Sequence, residues 1–154
     1  DSRTGTICFY SSSETNLIAD INGWFPTSSG FQSVDPVRLF DTRRGSPQGL
    51  RSVDQSKIGS DEVLEIQVTG VAGIPTSGVS AVSLNVTATG PTSEGFITVY
   101  PCGQVPTASN LNFVSGQTIA NAVLVPVDSR TGTICFYSSS ETNLIADING
   151  WFRS

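Results

Sequence analysis

The chain has 154 residues, a formal net charge of −5 and only eight basic residues, scattered singly apart from Arg43–Arg44. That excludes the clustered cationic face on which nucleic-acid binding depends. No run approaches the ~18–20 apolar residues of a membrane span and none reads as a signal peptide, so membrane insertion is not expected. With no histidine at all, neither a Ser/His/Asp nor a Cys/His constellation can form.

The first element in chain order is also the most informative. Residues 1–25 (DSRTGTICFYSSSETNLIADINGWF) recur without a single change as residues 128–152, a period of 127. A repeat confined to the two ends reads as one whole unit preceded by the tail of another. Residues 1–25 are therefore expected to be the terminal hairpin of a preceding repeat unit, and 26–30 (Pro-Thr-Ser-Ser-Gly) a linker. Residues 31–152 then form one complete unit, and Arg153-Ser154, which breaks the repeat, reads as a possible cloning remnant.

Within that unit the composition favours strands and tight turns: 15 glycines, few charges, and much Ser, Thr, Asn and Val. Strands are predicted near 34–42, 62–69, 81–88, 96–100, 110–114, 122–127, 133–137 and 144–149. Alternation is plain in several of them. Leu64, Ile66 and Val68 sort away from Val63, Glu65 and Gln67, and Val82, Leu84 and Val86 away from Ser83, Asn85 and Thr87. Turns are marked by Thr89-Gly90-Pro91, Ser115-Gly116 and Arg130-Thr131-Gly132. Eight short strands without helical periodicity predict an all-β, antiparallel two-sheet sandwich, jelly-roll or immunoglobulin-like.

Of the three cysteines, Cys8 is the repeat copy of Cys135. Each unit thus holds two, read as a Cys102–Cys135 disulfide worth roughly 3–4 kcal/mol in the chain-entropy picture. An oxidising compartment follows, secreted or cell-surface. Buried free thiols are the competing reading, and a zinc site is a poorer one for two cysteines without histidine. In the disulfide reading, Cys8 is expected to pair with the Cys102 equivalent of a preceding unit that this chain lacks.

Several motifs run through the unit in a fixed order. Asp35-Pro36-Val37-Arg38-Leu39-Phe40-Asp41-Thr42-Arg43 comes first, then Leu84-Asn85-Val86-Thr87 and Gly95-Phe96-Ile97-Thr98-Val99-Tyr100-Pro101-Cys102-Gly103. Ala108-Ser109-Asn110-Leu111-Asn112-Phe113, Gly116-Gln117-Thr118-Ile119-Ala120-Asn121 and Asp147-Ile148-Asn149-Gly150-Trp151-Phe152 follow. Together they resemble a β-rich repeat module of secreted bacterial proteins, common in actinobacteria, that occurs in tandem or appended to extracellular hydrolases. The resemblance implies an extracellular, non-catalytic accessory or stalk module, and carries over no ligand, cofactor or active site. This chain departs from the usual layout in its leading hairpin.

The remaining chemistry is sparse. The 13 acidic residues offer no recognisable acid–base pair for glycoside hydrolysis, so no enzymatic activity is expected. Arg38, Asp41 and Arg43 read as a structural ion-pair cluster, or alternatively as a contact for a sugar or partner. Asp147-Ile148-Asn149-Gly150 supplies too few oxygens for a calcium loop. Lys57, the only lysine, lies in a loop-like stretch rather than on a buried strand, a poor place for an isopeptide cross-link.

The hairpin copies carry the docking residues Ile134, Phe136, Leu144, Ile148 and Trp151, and Ile7, Phe9, Leu17, Ile21 and Trp24. Burying five such side chains gains roughly 8–15 kcal/mol gross, so the place they fill will not stay empty. Each unit offers one such place and this chain two candidates for it. The expected partners are neighbouring copies of the unit, joined head to tail by exchange of the hairpin. The alternative is a carbohydrate-binding module for a surface glycan, with Trp24, Trp151, Tyr100 and Tyr137 as candidate platforms.

Overall fold

The computed structural model describes residues 4–21, 23–26 and 28–154; positions 1–3 and 22 of the leading copy and 27 of the linker lie outside the described residues. Among the described residues eight strands follow one another: β1 (Phe31–Asp41), β2 (Glu62–Gln67), β3 (Val79–Thr89), β4 (Gly95–Tyr100), β5 (Leu111–Phe113), β6 (Thr118–Pro126), β7 (Thr133–Ser138) and β8 (Asn143–Arg153). They form two four-stranded antiparallel sheets, ordered β1-β8-β3-β6 and β2-β7-β4-β5. That interleaving is the jelly roll, two Greek keys wrapped around one core. It decides between the two topologies expected of the sandwich.

Alternation builds the sheets. Along β3 every second residue (Val79, then Val82, Leu84, Val86 and Ala88 after a register shift) is buried, while Ser83, Asn85 and Thr87 face outward. The matching inner residues of the other sheet are Ile66, Ile97, Val99, Ile134 and Phe136. Phe40 and Phe136 meet edge to face across the core, ring centroids 5.0 Å apart, and both are fully buried. The two prolines within strands sit on edge strands, where a missing N–H breaks no ladder: Pro36 in the irregular stretch of β1, Pro126 at the end of β6.

The segment 128–152, expected as a hairpin, is not one: β7 and β8 do not pair with each other but lie in different sheets, each strand interior to its own. β8 lies between β1 and β3, and β7 between β2 and β4. The last-made strands of the unit therefore complete both layers. Gly150 permits one close approach: a Cβ there would lie 2.4 Å from the Phe31 ring. Gly132 permits the turn into β7, at φ 72° and pressed against Thr69.

The leading segment contrasts with this. No strand is formed among its described residues 4–26, and Ile7, Phe9, Tyr10, Leu17, Ile18, Ile21 and Trp24 are all exposed. The described part of the expected hairpin of a preceding unit thus forms no strand. Within the expected linker, Ser29 N–H donates to the Pro26 carbonyl at 2.9 Å.

Phe40, unlike Phe136, occurs only once in the chain. Phe40→Ala is expected to cost about 3–5 kcal/mol in urea unfolding; a loss under 1 kcal/mol would mean that the Phe40–Phe136 contact does not anchor the two sheets.

Candidate functional site

The feature most open to function is the seat that β1–β6 provide for the strand pair β7 and β8, together with the spare copy of that segment. In the seat, Ile134, Phe136, Leu144 and Ile148 are fully buried, and Trp151 is 8% exposed. Their counterparts Ile7, Phe9, Leu17, Ile21 and Trp24 range from 61% to 94% exposed. One set of side chains thus occurs twice, once as core and once as surface. Strand pairing fixes the register of the seated copy: Glu65 faces Cys135 and Ile66 faces Ile134 on one side of β7, and Tyr100 faces Cys135 on the other.

Cys102 and Cys135 are bonded, with Cα atoms 5.0 Å apart. Tyr100, the register partner of Cys135, ends β4, so the bond ties the loop after β4 to the middle of β7. Cys8 is a free, exposed thiol. Glu65 lies beside the disulfide, its carboxylate within 4.8 Å of both sulfurs. With the sulfurs bonded to each other, that group offers no thiolate to a metal.

A second cluster locks β8 to β1. Arg38 Nε donates to Asp147 Oδ1 at 2.5 Å, and its Nη1 donates to Asp41 Oδ2 at 2.7 Å. Arg43 closes on the same carboxylate through Nη2 at 2.7 Å and through its backbone N–H at 3.0 Å. Asp41 is completely buried, whereas both guanidinium groups keep one side toward water. Burial pushes the Asp41 carboxyl up, but the Arg43 side-chain and backbone hydrogen bonds, then the charges of Arg43 and Arg38, outweigh it and hold it below its ordinary value. The three residues singled out in the sequence do come together, as an ion-pair network inside the fold. The fourth member, Asp147, went unrecognised because it lies 109 residues from Arg38 in a segment that resembled a calcium loop. Its repeat copy Asp20 is exposed.

The aromatic candidates separate. Trp151 and Tyr100 are buried and present no platform. Tyr137 is partly exposed and its hydroxyl donates to Asp61, which raises its pKa. It sits 5.9 Å from Phe96 beside an outer groove of about 500 Å³ that Val105, Pro106, Ser109 and Asn112 also line. Lys57 Nζ pairs with Glu141 at 3.3 Å.

A third aromatic group was also missed. Phe25 stacks on Phe31 at 4.6 Å, and Phe31 meets Phe152 at 5.0 Å. The signal was present as two phenylalanines flanking the five residues 26–30.

The chain matches no known family model, and no curated protein or solved structure is significantly similar to it.

Because Asp41 has a depressed pKa in the fold, its contribution to stability is complete above the unfolded value of about 3.9 and is lost as pH falls through the lower, folded value. Asp41→Asn is expected to lower stability at neutral pH by about 1.5–3 kcal/mol and to flatten the fall in Tm below about pH 4. An unchanged acid limb in a Tm-against-pH series would remove Asp41 from this account.

Proposed function

We propose that this chain is a non-catalytic structural repeat unit of an extracellular stalk, adhesin or fibre, joined to its neighbours by the surplus copy of its β7–β8 segment. The observation that carries the reading is the exposed second copy of β7–β8, identical in sequence to the pair that completes the core. A surface with Ile7, Phe9, Leu17, Ile18, Ile21 and Trp24 exposed is costly to leave in water, and the seat that matches it is present on every copy of the unit. When the spare copy of one chain takes the seat of the next, the displaced copy becomes the new surplus. The number of filled seats stays constant and the contact does not close on itself, so the product is an open filament.

The disulfide supports an oxidising, extracellular setting. It also restricts when exchange happens, because a seated β7 is held covalently through Cys135. Assembly therefore belongs to the interval before oxidation, or to conditions that allow thiol exchange. The resemblance to secreted bacterial repeat modules agrees with this reading.

A second reading rests on the Phe96–Tyr137 groove, where two aromatic faces stand beside Asn112 and Ser109. Such a site suits a glycan, with ring stacking on one side and amide or hydroxyl bonding on the other. A saturable change in tyrosine fluorescence on titration with soluble polysaccharides, lost in Tyr137→Ala, is the outcome this second reading requires.

For assembly, the chain is refolded from reduced denaturant at graded concentrations, oxidised, and its molar mass measured by light scattering. Mass is expected to climb with concentration above the 16.2 kDa of one chain, and Ile7→Asp with Phe9→Asp to abolish the climb. A constant mass at every concentration would overturn the assembly reading.

A further inference from the structure

The seat has two occupants within one chain, and the geometry points to a second closed form in which residues 6–25 replace residues 133–152. We propose that the leading copy completes the sandwich of its own chain as a circular permutant, with 26–30 as the β-hairpin loop, and that Cys8 then replaces Cys135 as the partner of Cys102. This deepens the proposed function, since it rests on the reading of residues 1–25 as a working second copy of β7–β8.

The argument begins at the edge of the first sheet. β1 and β8 are antiparallel neighbours, and Phe31 is the register partner of Phe152. Directly opposite residues in such a pair lie ~5 Å apart. If the leading copy sits in the seat, Phe25 takes the place of Phe152, and only residues 26–30 remain to join it to Phe31. A five-residue connection is an ordinary length for a β-hairpin, and such loops are commonly built around one tight turn. The hydrogen bond that closes such a turn already exists. Ser29 N–H donates to the Pro26 carbonyl at 2.9 Å, Gly30 is left-handed at φ 76°, and Phe25 is stacked on Phe31 across the loop. At the other end of the copy, Gly5 has φ 64° where Gly132 has 72°. The backbone at Gly5 and Gly30 and the Ser29–Pro26 bond thus already match what the permuted form needs, while the described residues 7–21 and 23–25 form no strand.

Energetics then favours near-degeneracy. Every contact made by residues 133–152 inside the seat is available to 6–25 with the same atoms, because the two segments are identical. The connections compare as well: β6 reaches β7 through residues 127–132, and 26–30 joins the permuted strand to β1. Closing loops of such similar length costs nearly the same entropy. The difference lies at the position after Phe152 and Phe25. Arg153 N–H donates to the Gly30 carbonyl at 2.9 Å and Ser154 N–H to the Gly78 carbonyl at 3.0 Å. Pro26, in the place of Arg153, has no N–H to donate. The Arg153 bond, which Pro26 cannot replace, therefore favours the C-terminal copy.

The covalent step is a thiol–disulfide exchange. The Cys8 thiolate attacks Sγ of Cys102; the Cys8–Cys102 bond forms as Cys102–Cys135 breaks, and Cys135 leaves as a thiolate that takes up the proton Cys8 gave up. One thiol and one disulfide are present before and after, so no oxidant or reductant is consumed.

The test uses the full chain at low concentration in a glutathione redox couple, with disulfides mapped by alkylation and peptide mass. In the otherwise native chain carrying Arg153→Pro, the ratio of Cys8–Cys102 to Cys102–Cys135 is expected to rise roughly fivefold, the worth of one backbone hydrogen bond. In a chain with Cys135→Ser, Phe136→Asp and Trp151→Phe, the C-terminal copy is barred. Trp24 is then expected to pass from water-exposed to buried emission, with Cys8–Cys102 inside one chain and the mass of a monomer. Bonds between Cys8 and Cys102 found only across two chains would overturn closure in cis and leave head-to-tail assembly standing. Failure of the triple variant to melt cooperatively, together with no Cys8–Cys102 bond in Arg153→Pro, would overturn both.

Discussion

Everything in this fold depends on two consecutive strands, β7 and β8, each being interior to a different sheet. A strand at a sheet edge can be lost with half its ladder intact, but β7 and β8 each have neighbours on both sides. Removing them separates β2 from β4 and β1 from β3, and uncovers the inner faces of Phe40, Leu84 and Ile97. The unit therefore has no stable form without an occupant in that place, and duplicating the occupant gives the chain a choice rather than an ornament. Jelly-roll topology makes this inevitable, because its first and last strands are always partners and its last two strands fall in different sheets.

Two polar devices hold the occupant. The Arg38–Asp41–Arg43 network reaches Asp147 on β8, and the disulfide reaches Cys135 on β7. They differ in kind. The ion pairs include a carboxylate with no water contact, so removing a partner leaves a buried charge uncompensated, and the network rewards one register of β8 against β1. The disulfide also needs Cys135 in register beside the end of β4, and it decides which chain, and which copy, is retained once the sheets have closed. Recognition is thus electrostatic and apolar, while commitment is covalent.

The strands were legible because burial on one face writes a period of two into the sequence; β3 and β2 fall where Val82-Leu84-Val86 and Leu64-Ile66-Val68 put them. The disulfide was legible because duplication reduces three cysteines to two per unit. Which strands pair was not, since β1–β8 and β2–β7 join residues far apart in the chain and alternation says nothing about neighbours. Asp147 escaped for the same reason: its meaning comes from Arg38 across the sheet, not from the residues beside it. Residues 26–30 read as a spacer because Pro, Ser and Gly serve spacers and tight turns equally. Tyr100 and Trp151, read as surface aromatics in the glycan alternative, are in the core, where a large ring at the end of a strand fills space that smaller residues leave.

The pairing of Phe31 with Phe152 has a mechanical consequence. Both ends of the sandwich leave from the same pole, so tension between them does not slide β1 along β8 but peels the two strands apart, one hydrogen bond at a time. Shear loads many bonds together; peeling loads one. A module pulled in this way yields at low force and lengthens gradually, more like a spring than a rod. The Cys102–Cys135 bond then bypasses the loop it closes, 33 residues in sequence separation, so the load runs through sulfur and β5 and β6 bear none of it.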